Sequence, residues 1–286
     1  MLTVSSPSEM TRLSQEAHRA GKRVGFVPTM GALHAGHISL VRAARAQCDV
    51  VVASIFVNPT QFGPNEDLAR YPRSLEQDSR LLEAEKTDYI FSPSVDDMYP
   101  SGASTWVTVE GISDKLDGRS RPGHFRGVTT VVAKLFQVVQ PDLAFFGQKD
   151  AAQSAIIRKM VRDLNFPVQI VVCAIVREPD GLAMSSRNSY LDAVQRKQAT
   201  VLHRALVSIQ TMAQQGESNA LRLISIGQRV LAEEPSIRLD YLEIVDQDTL
   251  DPVAETSRGA LVAIAAFVGS TRLIDNIVLS ESTSHP

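Results

Sequence analysis

Two repeating patterns of apolar and polar residues occupy about the first 175 positions of the 286-residue chain. Near-continuous β-branched runs such as DVVVASIFVN, residues 49–58, are typical of parallel strands that are buried on both faces. Runs with apolar residues every three or four positions, such as HISLVRAARAQC at 37–48, are typical of amphipathic helices. Because the two kinds of run alternate, they predict an α/β fold with a doubly wound parallel, Rossmann-like sheet.

The predicted strands in this part are RVGFVPT, DVVVASIFVN, TDYIFSPS, the beginning of STWVTVEGISDKLDGRSRPGHFRG, PDLAFFG and FPVQIVVCAIV. The predicted helices are HISLVRAARAQC, SLEQDSRLLEAEK, VTTVVAKLFQVV and QKDAAQSAIIRKMVRDLN. A long polar loop, PTQFGPNEDLARYPR, follows the second strand, and loops of that length are often functional.

The pattern changes after residue 176. Two long helical patterns, at 193–215 and 218–234, precede three strand-like runs joined by tight links, which predict a short antiparallel sheet. We therefore expect two domains, residues 1–176 and 177–286, the second a smaller α+β domain. The terminal SESTSHP is predicted to be disordered.

Composition and charge narrow the classes of function. The chain is 44% apolar and 21% charged with a net charge of −3, which is ordinary for a globular protein and provides no general field for nucleic acid or anionic membrane. An anionic ligand must then be held by a local cluster. With no apolar core for a signal peptide and no run of about 20 apolar residues, a cytoplasmic location is expected. The two cysteines, Cys48 and Cys173, are predicted to be small buried hydrophobic residues.

Two histidines, His34 and His37, stand where the first predicted strand gives way to a helix. They could be polar residues at a helix start, a metal pair or phosphate ligands. A metal pair is disfavoured because no cysteine, carboxylate or third histidine lies nearby in the sequence. Most such pairs are simply polar residues at a helix start. Phosphate binding is supported by Gly31 and Gly36, which permit close backbone approach, and by the start of a helix, which offers unpaired N–H groups and a positive dipole end.

The segment HAGH resembles the HxGH signature of the nucleotidyltransferase superfamily, which is related to the class I aminoacyl-tRNA synthetases. That superfamily has a second, K-M-S-K-S-type phosphate-binding segment, which MSSRN at 184–188 resembles; the alternative is a serine-rich linker with a solvated Arg187. Five segments together resemble the pantothenate synthetase (pantoate–beta-alanine ligase) family in order along the chain, from about residue 23 to 192 and more loosely beyond. They are FVPTMGALHAGH, SIFVNPTQF, RPGHFRGV, FFGQKDAAQ and MSSRNSYL.

The resemblance implies an AMP-forming ligase that condenses (R)-pantoate with beta-alanine through a pantoyl adenylate, releasing pyrophosphate and AMP. The product, pantothenate, is vitamin B5, a precursor of coenzyme A. ATP is then a substrate that arrives with Mg²⁺, held mainly by phosphate oxygens and water rather than by a protein metal site. The resemblance also implies a homodimer and a C-terminal domain that acts as a lid. One departure from the family pattern is Gln148, where glutamate is expected in many members; it leaves only the role of that side chain open.

Residue roles follow from the resemblance and from the chemistry of phosphate, which needs fixed donors. The catalytic donors implied are His34, His37, Lys149, Ser185, Ser186 and Arg187. The ATP-binding residues implied are Met30, Gly31, Ala32, Leu33, His34, Ala35, Gly36, His37, Gly147, Gln148, Lys149, Asp150, Val176, Met184, Ser185, Ser186 and Arg187. Lys149 could instead be a surface lysine, and Asp150 is equally well interpreted as a helix N-cap. With an unperturbed pKa of about 6.5, His37 could also donate a proton.

Gln61 and Gln153 are the residues implied for pantoate or beta-alanine, since an amide can both donate to and accept from an alcohol. Gln153 is also compatible with a polar surface position. Met30, Phe62 and Val131 are a weaker suggestion for an apolar wall. Arg121, His124 and Arg126 are predicted to form an electropositive loop, with a solvated charge as an equal alternative for Arg126.

Three other functions are compatible with parts of the sequence. An ordinary adenylyl- or cytidylyltransferase shares HxGH but is disfavoured by NPTQF together with GQKDAAQ. A non-catalytic nucleotide sensor would not need the full set of phosphate donors. A tRNA-charging synthetase is disfavoured by the net charge and by the lack of a region for an anticodon-binding domain.

Overall fold

The computed structural model describes residues 1–64 and 66–281, and residue contacts divide the chain into two units. The first unit contains residues 1–113, 121–147 and 156–174. The second contains residues 114–120, residues 148–155 and the chain from Ile175 onward. Two short pieces that precede residue 176 thus pack with the C-terminal part of the chain. The predicted domain boundary after residue 176 stays a prediction.

The strands are β1 (Leu2–Val4), β2 (Val24–Thr29), β3 (Val50–Ile55), β4 (Tyr89–Phe91), β5 (Leu143–Gly147), β6 (Gln169–Cys173), β7 (Ile237–Val245), β8 (Ala260–Val268) and β9 (Thr271–Leu279). The helices are α1 (Pro7–Arg19), α2 (Ala35–Gln47), α3 (Leu75–Ala84), α4 (Val95–Met98), α5 (Asp117–Ser120), α6 (His124–Val139), α7 (Ala151–Asp163), α8 (Ala193–Gln198), α9 (Val201–Gln214) and α10 (Ala220–Leu231). Among the described residues, none of these helices has the length and apolar character needed to cross a bilayer.

The first unit is built on a six-stranded sheet in the order β1-β4-β3-β2-β5-β6, with every neighbouring pair parallel. The predicted parallel α/β sheet is therefore confirmed. Its centre is apolar on both sides, as the β-branched runs predict: Val27, Val51 and Phe145 are fully buried together with Val41 of α2. Cys48 belongs to the same buried cluster, and burial raises the pKa of its thiol to about 11, whereas Cys173 is half-buried.

The strand order reverses at β2. The chain runs from β2 outward through β3 to β4, while β5 pairs with the other side of β2, matching Gly25 with Leu143 and Phe26 with Ala144. The carboxyl ends of β2 and β5 are therefore neighbours. In open parallel sheets, ligands bind outside the carboxyl ends of the strands at such a reversal.

One strand prediction for this unit was wrong, and one strand was not predicted. The segment TWVTVE belongs to no strand, and side chains of α6 take the hydrogen bonds of the Val107 backbone that a neighbouring strand would supply. Thr130 Oγ1 accepts from the N–H of Val107 at 3.0 Å, and Thr129 Oγ1 donates to the carbonyl of Val107 at 2.6 Å. The three-residue β1 was not predicted, since an edge strand so short has no periodicity to detect.

The second unit contains the antiparallel sheet β7-β8-β9, as predicted, with a register irregularity between Leu239 and Tyr241. Helices α9 and α10 pack on it around a buried apolar cluster that includes Leu202, Leu223 and Ile264. The helix predicted over 193–215 is divided at residues 199–200 into α8 and α9. Of the predicted disordered tail, residues 282–286 lie outside the described residues.

Ion pairs hold the short piece 114–120 to the rest of the second unit. Arg272 of β9 lies between Asp117 of α5 and Asp240 of β7, at 2.6 Å and 2.8 Å from their carboxylate oxygens. Lys115 pairs with Asp251 at 2.7 Å. Asp117 is buried, and breaking its pair with Arg272 would be strongly destabilising because it would leave an unpaired buried charge.

Candidate active site

A tight turn links β2 to α2 and sets the position of the histidine pair. Thr29 Oγ1 donates to the carbonyl of Ser54 on β3 at 2.6 Å and accepts from the N–H of Gly31 at 3.1 Å. Gly31 and Ala32 both have left-handed backbone angles, with φ of 82° and 51°. A Cβ at Gly31 would lie 2.9 Å from a carboxylate oxygen of Asp78. Glycine is therefore required at residue 31 both by conformation and by this close approach.

Asp78 of α3 holds the turn between β2 and α2 by hydrogen bonds to its backbone. Its carboxylate accepts from the N–H groups of Ala32 and Leu33 at 2.9 and 2.8 Å, and the side chain is buried. Burial raises the pKa of Asp78, and the two backbone hydrogen bonds oppose this increase without cancelling it. Sequence reasoning missed this residue because nothing separates Asp78 from the other charged residues of the helix SLEQDSRLLEAEK.

His34 and His37 form a reciprocal cap at the start of α2. His34 is the N-cap, and its Nδ1 accepts from the N–H of Gly36 at 3.1 Å; Nδ1 of His37 accepts from the N–H of His34 at 3.3 Å. The ring centroids are 4.1 Å apart. A nitrogen that accepts carries no proton, so each neutral ring has its proton on Nε2. Capping thus sets both rings as Nε2–H donors beside the first N–H groups of the helix.

Gln61 is the predicted substrate residue of the first unit. It ends a short 3₁₀ turn, Pro59–Gln61, and its Nε2 lies 3.0 Å from Met30 Sδ. Its Oε1 accepts from Asn58 Nδ2 at 3.1 Å. The predicted neighbours Gln61 and Met30 therefore lie together at the carboxyl ends of β2 and β3.

Asn58, which sequence reasoning did not single out, fixes this turn. It is buried, its Nδ2 also donates to the carbonyl of Gly127 at 3.1 Å, and its Oδ1 accepts from the hydroxyl of Tyr99 at 2.8 Å. A Cβ at Gly127 would lie 2.4 Å from the carbonyl oxygen of Thr60, so α6 approaches the turn closely only because residue 127 is glycine. Both residues could have been found from the sequence, because Asn58 begins the segment NPTQF and Gly127 lies in RPGHFRGV.

Only Arg121 of the predicted electropositive loop lies in a turn outside the helices, and its charge is compensated. His124 and Arg126 lie in the first turn of α6. Arg121 pairs with Glu66, with hydrogen bonds of 2.8 and 2.6 Å, and the guanidinium of Arg126 stacks 4.2 Å above the ring of Trp106. Nδ1 of His124 lies 2.8 Å from the carbonyl of Gln61, so this cluster supports the Gln61 turn.

The second unit places the predicted segment 184–188 in and beside a 3₁₀ turn, Ser186–Tyr190. Ser185 caps this turn, accepting from the N–H of Arg187 at 3.2 Å. The N–H of Met184 donates to the carbonyl of Val176 at 3.0 Å, so these two predicted ATP residues are neighbours. Two serine hydroxyls and an arginine therefore follow one another in a segment whose turn is capped by the side chain of Ser185.

The predicted residues after β5 also form a 3₁₀ turn, Gln148–Asp150, which leads into α7. Gly147 ends β5 in the first unit, paired with Cys173. Lys149 Nζ lies 3.7 Å from the carboxylate of Asp150, and the Lys149 side chain is 21% exposed. Gln153 lies half-buried at the start of α7.

The predicted residues thus form separate groups, each assembled within one unit. The first unit contains the 30–37 turn and Gln61; the second contains 148–150, Gln153 and 184–187. Among residues 1–64 and 66–281, no group of three or more histidine, cysteine or acidic side chains could hold a metal ion.

Known proteins resemble the chain over nearly its whole length. The family model for pantoate-beta-alanine ligase matches residues 2–278. A pantothenate synthetase of Koribacter versatilis is 62% identical over 279 residues, which are 98% of this chain and 96% of that protein. The crystal structure of pantothenate synthetase from Thermus thermophilus has a TM-score of 0.91 at 49% identity and covers 97% of this chain and 99% of its own.

A third protein was crystallised with ligands. Pantoate-beta-alanine ligase from Francisella tularensis, complexed with beta-gamma ATP and beta-alanine, has a TM-score of 0.80 at 34% identity, covering 97% of each chain.

The site defines an α/β protein that carries HAGH where a parallel strand gives way to α2. The chain belongs to the pantoate–beta-alanine ligase family. It is an enzyme that joins pantoate and beta-alanine to form pantothenate.

Proposed function

We propose that the ligase reaction proceeds by ATP-dependent adenylation of the pantoate carboxylate, followed by attack of the beta-alanine amine on the acyl adenylate. The observation that carries this proposal is the reciprocal capping of His34 and His37, which sets both rings as Nε2–H donors beside the N–H groups at the start of α2. Such a set of fixed donors suits phosphate, whose charge grows as the α-phosphorus is attacked.

The proposed ATP residues of the first unit are Met30 to His37 together with Gly147. The backbone of residues 30–36 binds nucleotide, with Gly31 and Gly36 admitting it closely, and His34 and His37 donate to phosphoryl oxygens. His37 is also the proposed proton donor to the departing pyrophosphate, since imidazole can serve in either protonation state near neutral pH.

The proposed phosphate donors of the second unit are Lys149, Ser185, Ser186 and Arg187. Lysine and arginine supply full charges, and the planar fork of Arg187 matches two phosphate oxygens. Gln148, Asp150, Val176 and Met184 complete the proposed nucleotide contacts. The carboxylate of Asp150 lies 3.7 Å from Lys149 Nζ.

Gln61 and Gln153 are the proposed ligands of pantoate. A neutral amide can bond hydroxyl and carboxylate oxygens without a full charge that would compete for phosphate. The support for Gln61 is its orientation: Asn58 holds its Oε1, which turns its Nε2 toward Met30 at the carboxyl end of β2.

Magnesium is proposed to bind with ATP rather than to the protein. The described residues contain no three-ligand cluster for a metal, which is compatible with Mg²⁺ held by phosphate oxygens and water. Bound in this way, the ion would neutralise phosphate charge. The homodimer, the cytoplasmic location and the lid role of the C-terminal domain stay predictions from the family resemblance and the composition.

The test is isotope exchange between pyrophosphate and ATP. If adenylation precedes amine attack, exchange requires pantoate and proceeds without beta-alanine. Product mass after incubation with ATP, D-pantoate and beta-alanine checks the overall reaction. Exchange that depends on beta-alanine, or that occurs with no acid present, contradicts the adenylate pathway while leaving the ligase activity in place.

A further inference from the structure

One side chain of β9 holds the turn that carries Lys149. The side-chain amide of Asn276 donates to the carbonyls of both Gln148 and Lys149, each at 2.9 Å. Its Oδ1 accepts from Nε2 of Gln148 at 3.1 Å. Three hydrogen bonds therefore run from one asparagine to two consecutive residues, all within the second unit.

Asn276 is itself held rigidly. It is 2% exposed, and its N–H donates to the carboxylate of Asp275 at 2.7 Å. Arg177 forms a two-pronged ion pair with Asp275, at 2.6 and 2.9 Å, and donates to the carbonyl of Asn276 at 3.3 Å. Asp275 is 3% exposed, whereas the side chain of its partner Arg177 is 21% exposed. A hydrogen-bonded network around buried polar groups of this kind favours one arrangement.

We propose that Asn276 is a positioning residue that sets the place of the Lys149 ammonium through the main chain of residues 148–149. The inference rests on the proposed role of Lys149 as a phosphate donor. A lysine has a flexible four-carbon stem, so the backbone atoms at its base decide where its charge can reach. Misplacement by about 1 Å can lower a rate about 10²-fold.

The hydrogen bonds between the side-chain amides of Asn276 and Gln148 explain why these residue types suit the two positions. Only a side chain with two N–H donors and an acceptor can bond both carbonyls and Gln148 at once, which asparagine does and aspartate or leucine does not. Gln148 supplies the matching donor. A glutamate there would place a carboxylate against Asn276 Oδ1, and the amide would have to reorient.

The experiment measures single-turnover formation of pantoyl adenylate and, separately, ATP affinity by calorimetry in the full-length enzyme. Asn276→Ala should lower the adenylation rate about 10²-fold and change ATP affinity by less than about threefold. Gln148→Ala, which removes one of the three bonds and leaves both carbonyl bonds, should have a smaller effect on the rate. Val278→Ala is the matched control, since this side chain of β9 is 36% exposed.

A double variant separates positioning from general support. If Asn276 acts through Lys149, Asn276→Ala added to Lys149→Ala should lower the rate no further, within about twofold, because the group being positioned is already absent. If the two losses multiply, Asn276 acts elsewhere and the inference is wrong.

The outcomes also distinguish this inference from the proposed function. If folded Asn276→Ala forms the adenylate at the wild-type rate while Lys149→Ala forms it slowly, the positioning role of Asn276 is wrong and the role of Lys149 as a phosphate donor is supported. Wild-type adenylation by Lys149→Ala overturns the role of Lys149 itself. If Asn276→Ala does not fold, Asn276→Ser, which retains one donor, carries the same double-variant test.

Discussion

The two groups of proposed phosphate donors lie in different kinds of local structure. At the start of α2, the donors belong to a regular strand–turn–helix stretch whose turn is held by Asp78 and whose helix is capped by the two histidines. In the second unit, Lys149 and Arg187 lie in 3₁₀ turns whose shape depends on side chains, Asn276 for the first and Ser185 for the second. Substitutions of supporting residues should therefore be tolerated differently in the two regions.

The largest effect is expected for Lys149→Ala. Several other donors and magnesium would still hold ATP, so its affinity should fall only modestly. The loss of an ammonium that meets growing charge in the transition state should slow adenylation by about 10² to 10³, or about 3–4 kcal/mol, by analogy with a deleted oxyanion-hole donor. Single-turnover adenylate formation measures this, with Lys159→Ala on the surface of α7 as the control. Near wild-type adenylation by the folded, saturated variant would falsify the assignment.

Substitution of His34 separates its two roles. Both His34→Ala and His34→Asn remove the Nε2–H donor, so both should slow adenylation about 10²-fold. Asparagine retains a capping acceptor, so only the alanine variant should lose helix-cap stability, by about 1 kcal/mol in denaturant unfolding. An asparagine variant with the wild-type rate of adenylation would show that His34 is a cap and nothing more.

Gln61→Ala should act mainly on pantoate. The loss of a neutral hydrogen bond to substrate should raise the KM for pantoate by the equivalent of about 1–3 kcal/mol, with little change in the KM for ATP. Steady-state kinetics with each substrate varied in turn provides the measurement. Gln77→Ala, an exposed glutamine on α3, is the control. A change confined to the KM for ATP would mean that Gln61 belongs to the nucleotide pocket instead.

The smallest effect concerns the Glu66–Arg121 pair, one of the few ionic supports near the Gln61 turn. Burial raises the pKa of Glu66, but the hydrogen bond and charge of Arg121, together with the charge of His124 and a backbone hydrogen bond from Gly63, lower it by more, so the net pKa lies below the ordinary value. The pair therefore stabilises the fold above the unfolded glutamate pKa of about 4.3, and this contribution disappears as the pH falls through the lower folded value. Its size should be about 1 kcal/mol or less. Urea unfolding from pH 7 to pH 3 should show a shallower loss for Glu66→Gln; an unchanged slope would mean that the pair contributes nothing.

The regular region could be predicted from sequence because its signals are local. The β-branched runs at 24–29 and 50–55, the glycines and the histidine pair all lie within one strand–turn–helix stretch and the strand that follows it. The supports could not be predicted, because they act across large separations in sequence: Asp78 reaches the turn 45 residues before it, and Asn276 reaches Lys149 from 127 residues away. An asparagine in a strand and an aspartate in a helix have no pattern that marks them as partners of a distant backbone.

The strand predicted at TWVTVE shows the opposite limitation. Its alternation is real, since Val109 is buried beside more exposed neighbours, but α6 satisfies the backbone of Val107 through two threonine hydroxyls. The alternation of apolar and polar residues indicates which side chains face an apolar surface, but it does not indicate whether a sheet or a helix provides that surface. Here the neighbouring element is the helix α6.

Because the second unit is formed from discontinuous segments of the chain, its C-terminal part should not fold normally as an isolated fragment. A fragment cut at residue 177 would lack residues 114–120 and 148–155, which pack with it. Arg272 would lose Asp117, and the amide of Asn276 would lose both carbonyls that it bonds. The C-terminal fragment is therefore not self-contained. Homologous recombination between relatives should therefore yield active chimaeras only when the donor of the C-terminal half also contributes these two internal pieces, or when both parents share them.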